Sequence, residues 1–272
     1  MFRNPVMSFG EAMKNSISVT LCLVLLWVQT GHGQRVVGDT PTAARSQDGS
    51  YISWREHIID ESASAGFGLS GSDGLVMADI DADGYEDIVS VHESDSEYDS
   101  SVPDPDYIPN VEGHVRIAFG SADPDGWTNI TIAEGADAPA PEDAAIADVN
   151  GDGHLDVMVA AELSHLIYLQ NPGAEARTAT WPRLILPMTE GRGSYIRVFL
   201  ADFDGDGVPE VAAPNKGAQR PALEDFARST PVSIFQVTGD PLVGRNWKET
   251  ELGHYSVPQN AEPGDLDGDG DL

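Results

Sequence analysis

The sequence predicts an all-β fold built from a repeated four-stranded unit, and three observations carry that expectation. An acidic, glycine-containing pattern occurs four times, beginning at Asp79, Asp148, Asp202 and Asp265. Tryptophans at 54, 127, 181 and 247 keep step with it: the patterns start 69, 54 and 63 residues apart, the tryptophans 73, 54 and 66. Short alternating and β-branched runs fill the intervals, and no stretch beyond the N-terminal segment has a convincing helical period. Repeats of this length with four strands each are the mark of propeller blades. The expected architecture is therefore a β-propeller of four-stranded blades, with about three and a half repeats in an incomplete ring.

The chain opens on an export signal. Arg3 and Lys14 precede an apolar run from Ile17 to Val28 that is too short to span a bilayer comfortably, and the small residues Gly31 and Gly33 follow it. Residues 1–33 are read as a signal peptide, with a more compact signal if translation starts at Met13. The single cysteine, Cys22, lies inside the apolar run, and Val19-Thr20-Leu21 lacks the small residue expected before a lipid-modified cysteine. The mature chain then has no disulfide and no transmembrane segment, and its expected location is secreted, extracellular or periplasmic. Residues 34–50 read as a linker, and 51–272 as the repeats.

Within a unit, the first strand ends on a small residue (Ala78, Ala147 or Ala201, with Gly264 in the fourth copy) and runs into the acidic loop. A second strand follows, then a third at HVRIAFG (114–120), HLIYLQ (165–170) and VSIFQV (232–237). The fourth opens on tryptophan: WREHII, WTNITI, WPRLIL and WKETEL, whose sixth residues, Ile59, Ile132, Leu186 and Leu252, are expected on a buried face. The regular place of the tryptophans points to blade packing rather than sugar stacking. Residues 90–114 insert seven acids into the first unit and read as a solvated loop over a functional site; 221–229 reads as a short loop helix.

Forty-five acidic against fifteen basic residues give a formal charge of −30, which argues against nucleic acid or an anionic membrane as partner. The acids are also crowded. Two carboxylates 4 Å apart repel by about 1 kcal/mol in water and about 4 at an effective dielectric of 20, and alternate positions bring several that close. A hard cation relieves this, and Ca²⁺, with six to eight oxygen ligands in loose geometry, suits such a loop. An EF-hand is excluded, because position 12 is Ser90, Val159 or Ala213 rather than glutamate and the flanks read as strands.

These loops, the Phe119-Gly120 pair after a strand and the Asn171-Pro172-Gly173 turn before Trp181 resemble FG-GAP/VCBS repeats, the calcium-binding blades of integrin-α-like propellers and of many secreted bacterial proteins. The resemblance covers residues 50–272. It implies side-chain ligands at positions 1, 3, 5 and 9 and a carbonyl at position 7, with one structural Ca²⁺ per complete loop. In the first loop these are Asp79, Asp81, Asp83 and Asp87 with the Tyr85 carbonyl. In the second they are Asp148, Asn150, Asp152 and Asp156 with the His154 carbonyl; in the third, Asp202, Asp204, Asp206 and Glu210 with the Val208 carbonyl. The fourth keeps Asp265, Asp267 and Asp269 but ends at Leu272 before position 9, so further blades are expected C-terminal to it.

The expected function is a secreted calcium-binding propeller acting as a binding or scaffold module for a protein or glycan ligand. The alternative is the propeller domain of a carbohydrate-active enzyme of the polysaccharide lyase or sugar dehydratase type. No catalytic constellation supports that alternative: His57, His92, His114, His165 and His254 lack zinc spacing, and Gly68-Leu69-Ser70-Gly71 misses a nucleophile elbow by one position. His154 is expected to work through its carbonyl, with an exposed ring. Asn129-Ile130-Thr131 matches a glycosylation sequon, but within a predicted strand.

Overall fold

A computed structural model describes residues 43–49, 56–94, 113–163, 165–270 and 272. The chain divides into two units, Met1–Glu56 and His57–Leu272. In the first, residues 46–49 form a turn closed by the Gly49 amide on the Ser46 carbonyl at 3.0 Å. The signal peptide, most of the linker, Trp54 and residues 95–112 of the acidic insertion lie outside the described residues.

The second unit holds twelve strands in three antiparallel sheets. The first sheet contains β1 (Leu75–Ala78), β2 (Asp87–His92), β3 (Gly113–Phe119) and β4 (Thr128–Gly135). The second contains β5 (Pro141–Ala147), β6 (Asp156–Ala161), β7 (Leu166–Leu169) and β8 (Arg183–Ile185). The third contains β9 (Phe199–Ala201), β10 (Glu210–Pro214), β11 (Thr230–Val237) and β12 (Trp247–Tyr255). Every sheet is a meander in sequence order, and each of the first three acidic loops joins a sheet's first strand to its second. β5 packs against β1, β2 and β3 on one side and β9 on the other, so the first strands of successive sheets lie beside one another, as in propeller blades. Among the described residues the sheets do not close into a ring, and no helix is long and apolar enough to cross a membrane.

The middle sheet shows why the strands read as near-continuous apolar runs. Val157, Val159, Ala161, Ile167 and Leu169 face the first sheet, joining Val89, Val115, Ile117, Phe119 and Trp181 in one core. Their alternates Met158, Ala160, Leu166 and Tyr168 face the third sheet, joining Val211, Phe235 and Trp247 in a second. A strand covered on both faces has no polar side to display. The described tryptophans sit just before or at the start of the fourth strands, and each indole N–H donates to a carbonyl slightly upstream: Trp127 to Pro124, Trp181 to Ala176 and Trp247 to Pro241, at 2.8–3.1 Å. Trp181 and Trp247 are buried, Trp127 half-buried.

Three local expectations change. Residues 56–59 form no strand; the Ile59 carbonyl accepts the Asn129 side-chain amide (2.8 Å) instead of a ladder bond, and a short helix, α1 (Ser62–Ala65), follows. Neighbouring Asp60 holds the buried Arg116 guanidinium, so this segment crosses β3 and β4 through side chains. Leu252 is 59 % exposed, whereas its counterpart Ile132 is buried. Both occupy a bulge where the ladder skips a residue, between the partners of Val115 and Arg116 and of Val232 and Ser233. Ile132 is covered by the second sheet; no described sheet follows the third to cover Leu252. Residues 221–229 hold only a 3-10 turn at Asp225–Ala227.

Candidate metal loops and an interior charge cluster

Each acidic loop is folded by its own carboxylates. The first acid caps the turn with both oxygens: Asp79 accepts the amides of Asp83 and Gly84, Asp148 those of Asp152 and Gly153, Asp202 those of Gly205 and Gly207, Asp265 those of Gly268 and Gly270. These amides hold the Asp265 carboxyl below its ordinary pKa. The fifth-position acids of the three complete loops accept the amide of position 7, from Tyr85, His154 and Val208. The chain reverses at position 6, where Gly84, Gly153, Gly207 and Gly270 have φ of 88–99°, a region that disfavours any side chain.

The ninth-position acid does different work. Asp87, Asp156 and Glu210 are buried, and each accepts the amide of position 2: Ile80 at 2.9 Å, Val149 at 3.2 Å and Phe203 at 2.8 Å. Asp87 also takes the Gly120 amide (2.8 Å), while Asp156 takes the Asn171 amide and the Tyr168 hydroxyl, both at 2.8 Å. The longer Glu210 makes the same position-2 bond and accepts the Gln236 amide at 3.3 Å. Burial raises the Asp87 carboxyl and pushes Asp156 up to about 6, against the hydrogen bonds that favour the anion.

Carboxylate oxygens of Asp79, Asp81 and Asp87 lie within 4.8 Å of one another, as do those of Asp202, Asp204 and Asp206 and those of Asp265, Asp267 and Asp269. One oxygen of Asp81, Oδ1, is buried without a hydrogen-bond donor. A bare carboxylate oxygen in that position is a strong acceptor with nothing to accept from, and the donor set is all hard oxygen. These residues fit a cation. In the second loop position 3 is Asn150, whose amide donates to Asp152 at 2.9 Å. An open cleft beside this loop is lined by Val149, Asn150, Asp152, Val208 and Asp240. The His154 ring is half-buried rather than exposed, because it lies against Gly173, where an added Cβ would stand 2.9 Å from Nε2.

Residues 148–213, from the first acid of the second loop to the penultimate residue of β10, match the model of the FG-GAP-like repeat. The chain carries an FG-GAP-like repeat. No curated protein matches the chain. The matched span holds both the second and third loops, and its internal phase carries over to the first sheet, where β1 and β2 flank the same turn.

That phase exposes a second cluster at the opposite end of the sheets. Six residues past the ninth-position acid stand Glu93, Glu162 and Lys216, all buried. Lys216 Nζ donates to Glu162 Oε1 at 2.5 Å, tying the third sheet to the second. Glu93, Asp73 and Glu142, the last on β5, bring oxygens within 4.8 Å and link the second sheet to the first. Gly74 permits this approach: an added Cβ would lie 2.6 Å from the Asp143 Cα. Burial first, then the charges of Glu162, Asp73 and Glu93, push Glu142 up to about 8 against the pull of Lys216. Sequence reading missed this group, although counting six positions from each ninth-position acid finds three of its members.

Proposed function

We propose that this chain is a secreted, calcium-binding propeller module that presents a rigid surface to a protein or glycan ligand, with Ca²⁺ in a structural role. The FG-GAP-like repeat and the three four-stranded sheets supply the coarse reading, a propeller-like binding module. The observation that carries the cation is Asp81 Oδ1, a buried carboxylate oxygen without a donor in a loop of three converging acids. Asp79, Asp81, Asp83 and Asp87 with the Tyr85 carbonyl would hold one ion. Asp148, Asn150, Asp152 and Asp156 with the His154 carbonyl would hold a second, and Asp202, Asp204, Asp206 and Glu210 with the Val208 carbonyl a third. Asp265, Asp267 and Asp269 form the start of a fourth such loop. A bound Ca²⁺ would neutralise these acids and lock the connection between first and second strands. The chain's own contribution is visible in the turn: backbone amides pre-fold each loop, and the buried ninth-position acid anchors it to the core.

Because the ion would bind the folded loops and not the unfolded chain, calcium raises stability by mass action, about 2.7 kcal/mol per site at a free concentration one hundred times Kd. Melting in 1 mM Ca²⁺ (roughly cellular-exterior levels, where extracellular modules are tuned) and in excess EGTA is the test. A clear upward shift with calcium is expected, and it should shrink in Asp79→Asn together with Asp202→Asn, which leave only the second complete loop intact. Identical transitions in calcium and chelator would overturn the reading.

A further inference from the structure

The first loop differs from the others in the company it keeps. Arg177 leaves the connection between β7 and β8, in the second sheet, and enters the first loop, in the first sheet. Its Nε donates to Asp81 Oδ2 and its Nη2 to Asp83 Oδ2, the latter at 2.6 Å, while the guanidinium carbon lies 4.9 Å from the Phe119 ring centroid. The same connection supplies Asn171, whose amide donates to the Ile80 carbonyl at 3.0 Å. In the third loop the position-3 acid, Asp204, takes a neutral donor from its own sheet, the Gln236 amide at 2.7 Å. In the second loop position 3 is the neutral Asn150, and the cleft beside it is lined by an acid of the next sheet, Asp240. A full positive charge therefore reaches the first loop from the neighbouring sheet, and a negative one stands near the second.

The loops also differ in which acids converge. In the third and fourth loops positions 1, 3 and 5 gather; in the first, positions 1, 3 and 9 do, and Asp83, held by Arg177, is not among them. We propose that Arg177 is a resident counter-charge that competes with the cation at the first loop, making this loop the exchangeable site and its filling the event that releases a strap between the first and second sheets. The proposal rests on the calcium reading above. Coulomb repulsion between guanidinium and ion, and the withdrawal of Asp83, both act against binding at this loop alone.

Terbium(III), a calcium surrogate sensitised by tyrosine, separates the sites. Tyr85 stands at position 7 of the first loop, and Tyr168 donates to Asp156 of the second, so the luminescence lost on Tyr85→Phe is the first loop's share. The experiment is terbium titration with calcium back-competition on the full chain, for wild type and Arg177→Gln, each with and without Tyr85→Phe. In Arg177→Gln the Tyr85-dependent component should tighten about tenfold, the size of one charge-assisted contact, and the remainder should stay within about twofold. Arg177→Lys keeps the charge but not the two-pronged grip; it should tighten the same component about threefold and carries the test if the glutamine variant does not fold. An unchanged or weakened Tyr85-dependent component in the folded variants overturns the proposal while leaving calcium binding intact. Absence of terbium and calcium binding at every loop, in wild type and variants alike, overturns the calcium reading and the proposal with it.

Discussion

Asp156→Ala separates the structural staple from the cation. Asp156 is fully buried, and its oxygens are the acceptors for three groups: the Val149 amide, the Asn171 amide and the Tyr168 hydroxyl. Alanine would leave three buried donors without partners. Each such orphan costs about 1–3 kcal/mol, and part of the total is returned because alanine no longer buries a charge, so the expected loss is about 4 kcal/mol. Stability of a domain is typically about 5–15 kcal/mol, which makes this a large fraction. The assay is urea unfolding in EGTA, so that no cation contributes. The control is Asp152→Ala, an exposed acid of the same loop that accepts only the His154 amide and the Asn150 side chain; without cation it should lose less than about 1 kcal/mol. In a Tyr168→Phe background one donor is already gone, and the Asp156→Ala loss should shrink by about 1 kcal/mol. An Asp156→Ala loss below about 1 kcal/mol in EGTA, or one equal to that of Asp152→Ala, would refute the view that position 9 anchors the loop independently of metal.

The interior charge cluster makes two further predictions. Lys216→Met strips the Glu162 carboxylate of its buried ammonium and should cost about 3–5 kcal/mol in urea unfolding, most of it recovered by adding Glu162→Leu; a loss under about 1 kcal/mol would show that the pair is solvated. Glu142, with a folded pKa of about 8 against an ordinary 4.5, keeps a proton in that interval that the unfolded chain releases, so its contribution makes stability fall as pH rises from 4.5 through 8. The groups facing it are Glu162, Asp73, Glu93, Lys216 and Arg197, the last at 4.0 Å. Glu142→Gln should therefore gain on wild type between pH 5 and pH 8.5, read from urea midpoints; parallel pH profiles would contradict the assignment.

What the sequence made legible is what repeats locally. The loop needs acid or amide side chains at positions 1, 3, 5 and 9 and a glycine within nine residues, and the strands need alternation over a few residues, so both are written contiguously and recur in three complete copies, with the start of a fourth loop at Asp265. The tryptophans are legible for the same reason, since each indole N–H finds a carbonyl three to six residues upstream. Leu252 was not, because its burial depends on a neighbouring sheet and not on its own strand. Nor was the segment before α1, where Asn129 and Arg116, from later strands, supply the partners a ladder would have supplied. Glu93, Glu162 and Lys216 keep the repeat's phase, yet the two glutamates vanish among 45 acids, and nothing marks the lysine as their partner until the sheets bring them together.

Arg177 shows most clearly how function can differ between copies of one motif. Asp81 and Asp204 hold the same place in their loops, yet Asp204 Oδ1 accepts the Asp206 amide at 3.1 Å while Asp81 Oδ1 has no donor, and their Oδ2 atoms differ in the donor delivered from elsewhere, a guanidinium from the next sheet or an amide from the third strand of the same one. A motif fixes which oxygens can converge, whereas the connection from the adjoining sheet fixes the charge those oxygens already carry partners for. Because the first and second loops each face the third-to-fourth connection of the following sheet, that connection is where otherwise equivalent loops would acquire different cation affinities on the proposed reading. On the proposed calcium reading the loops need not fill together: the one facing an arginine would fill last, and the one facing Asp240 before it.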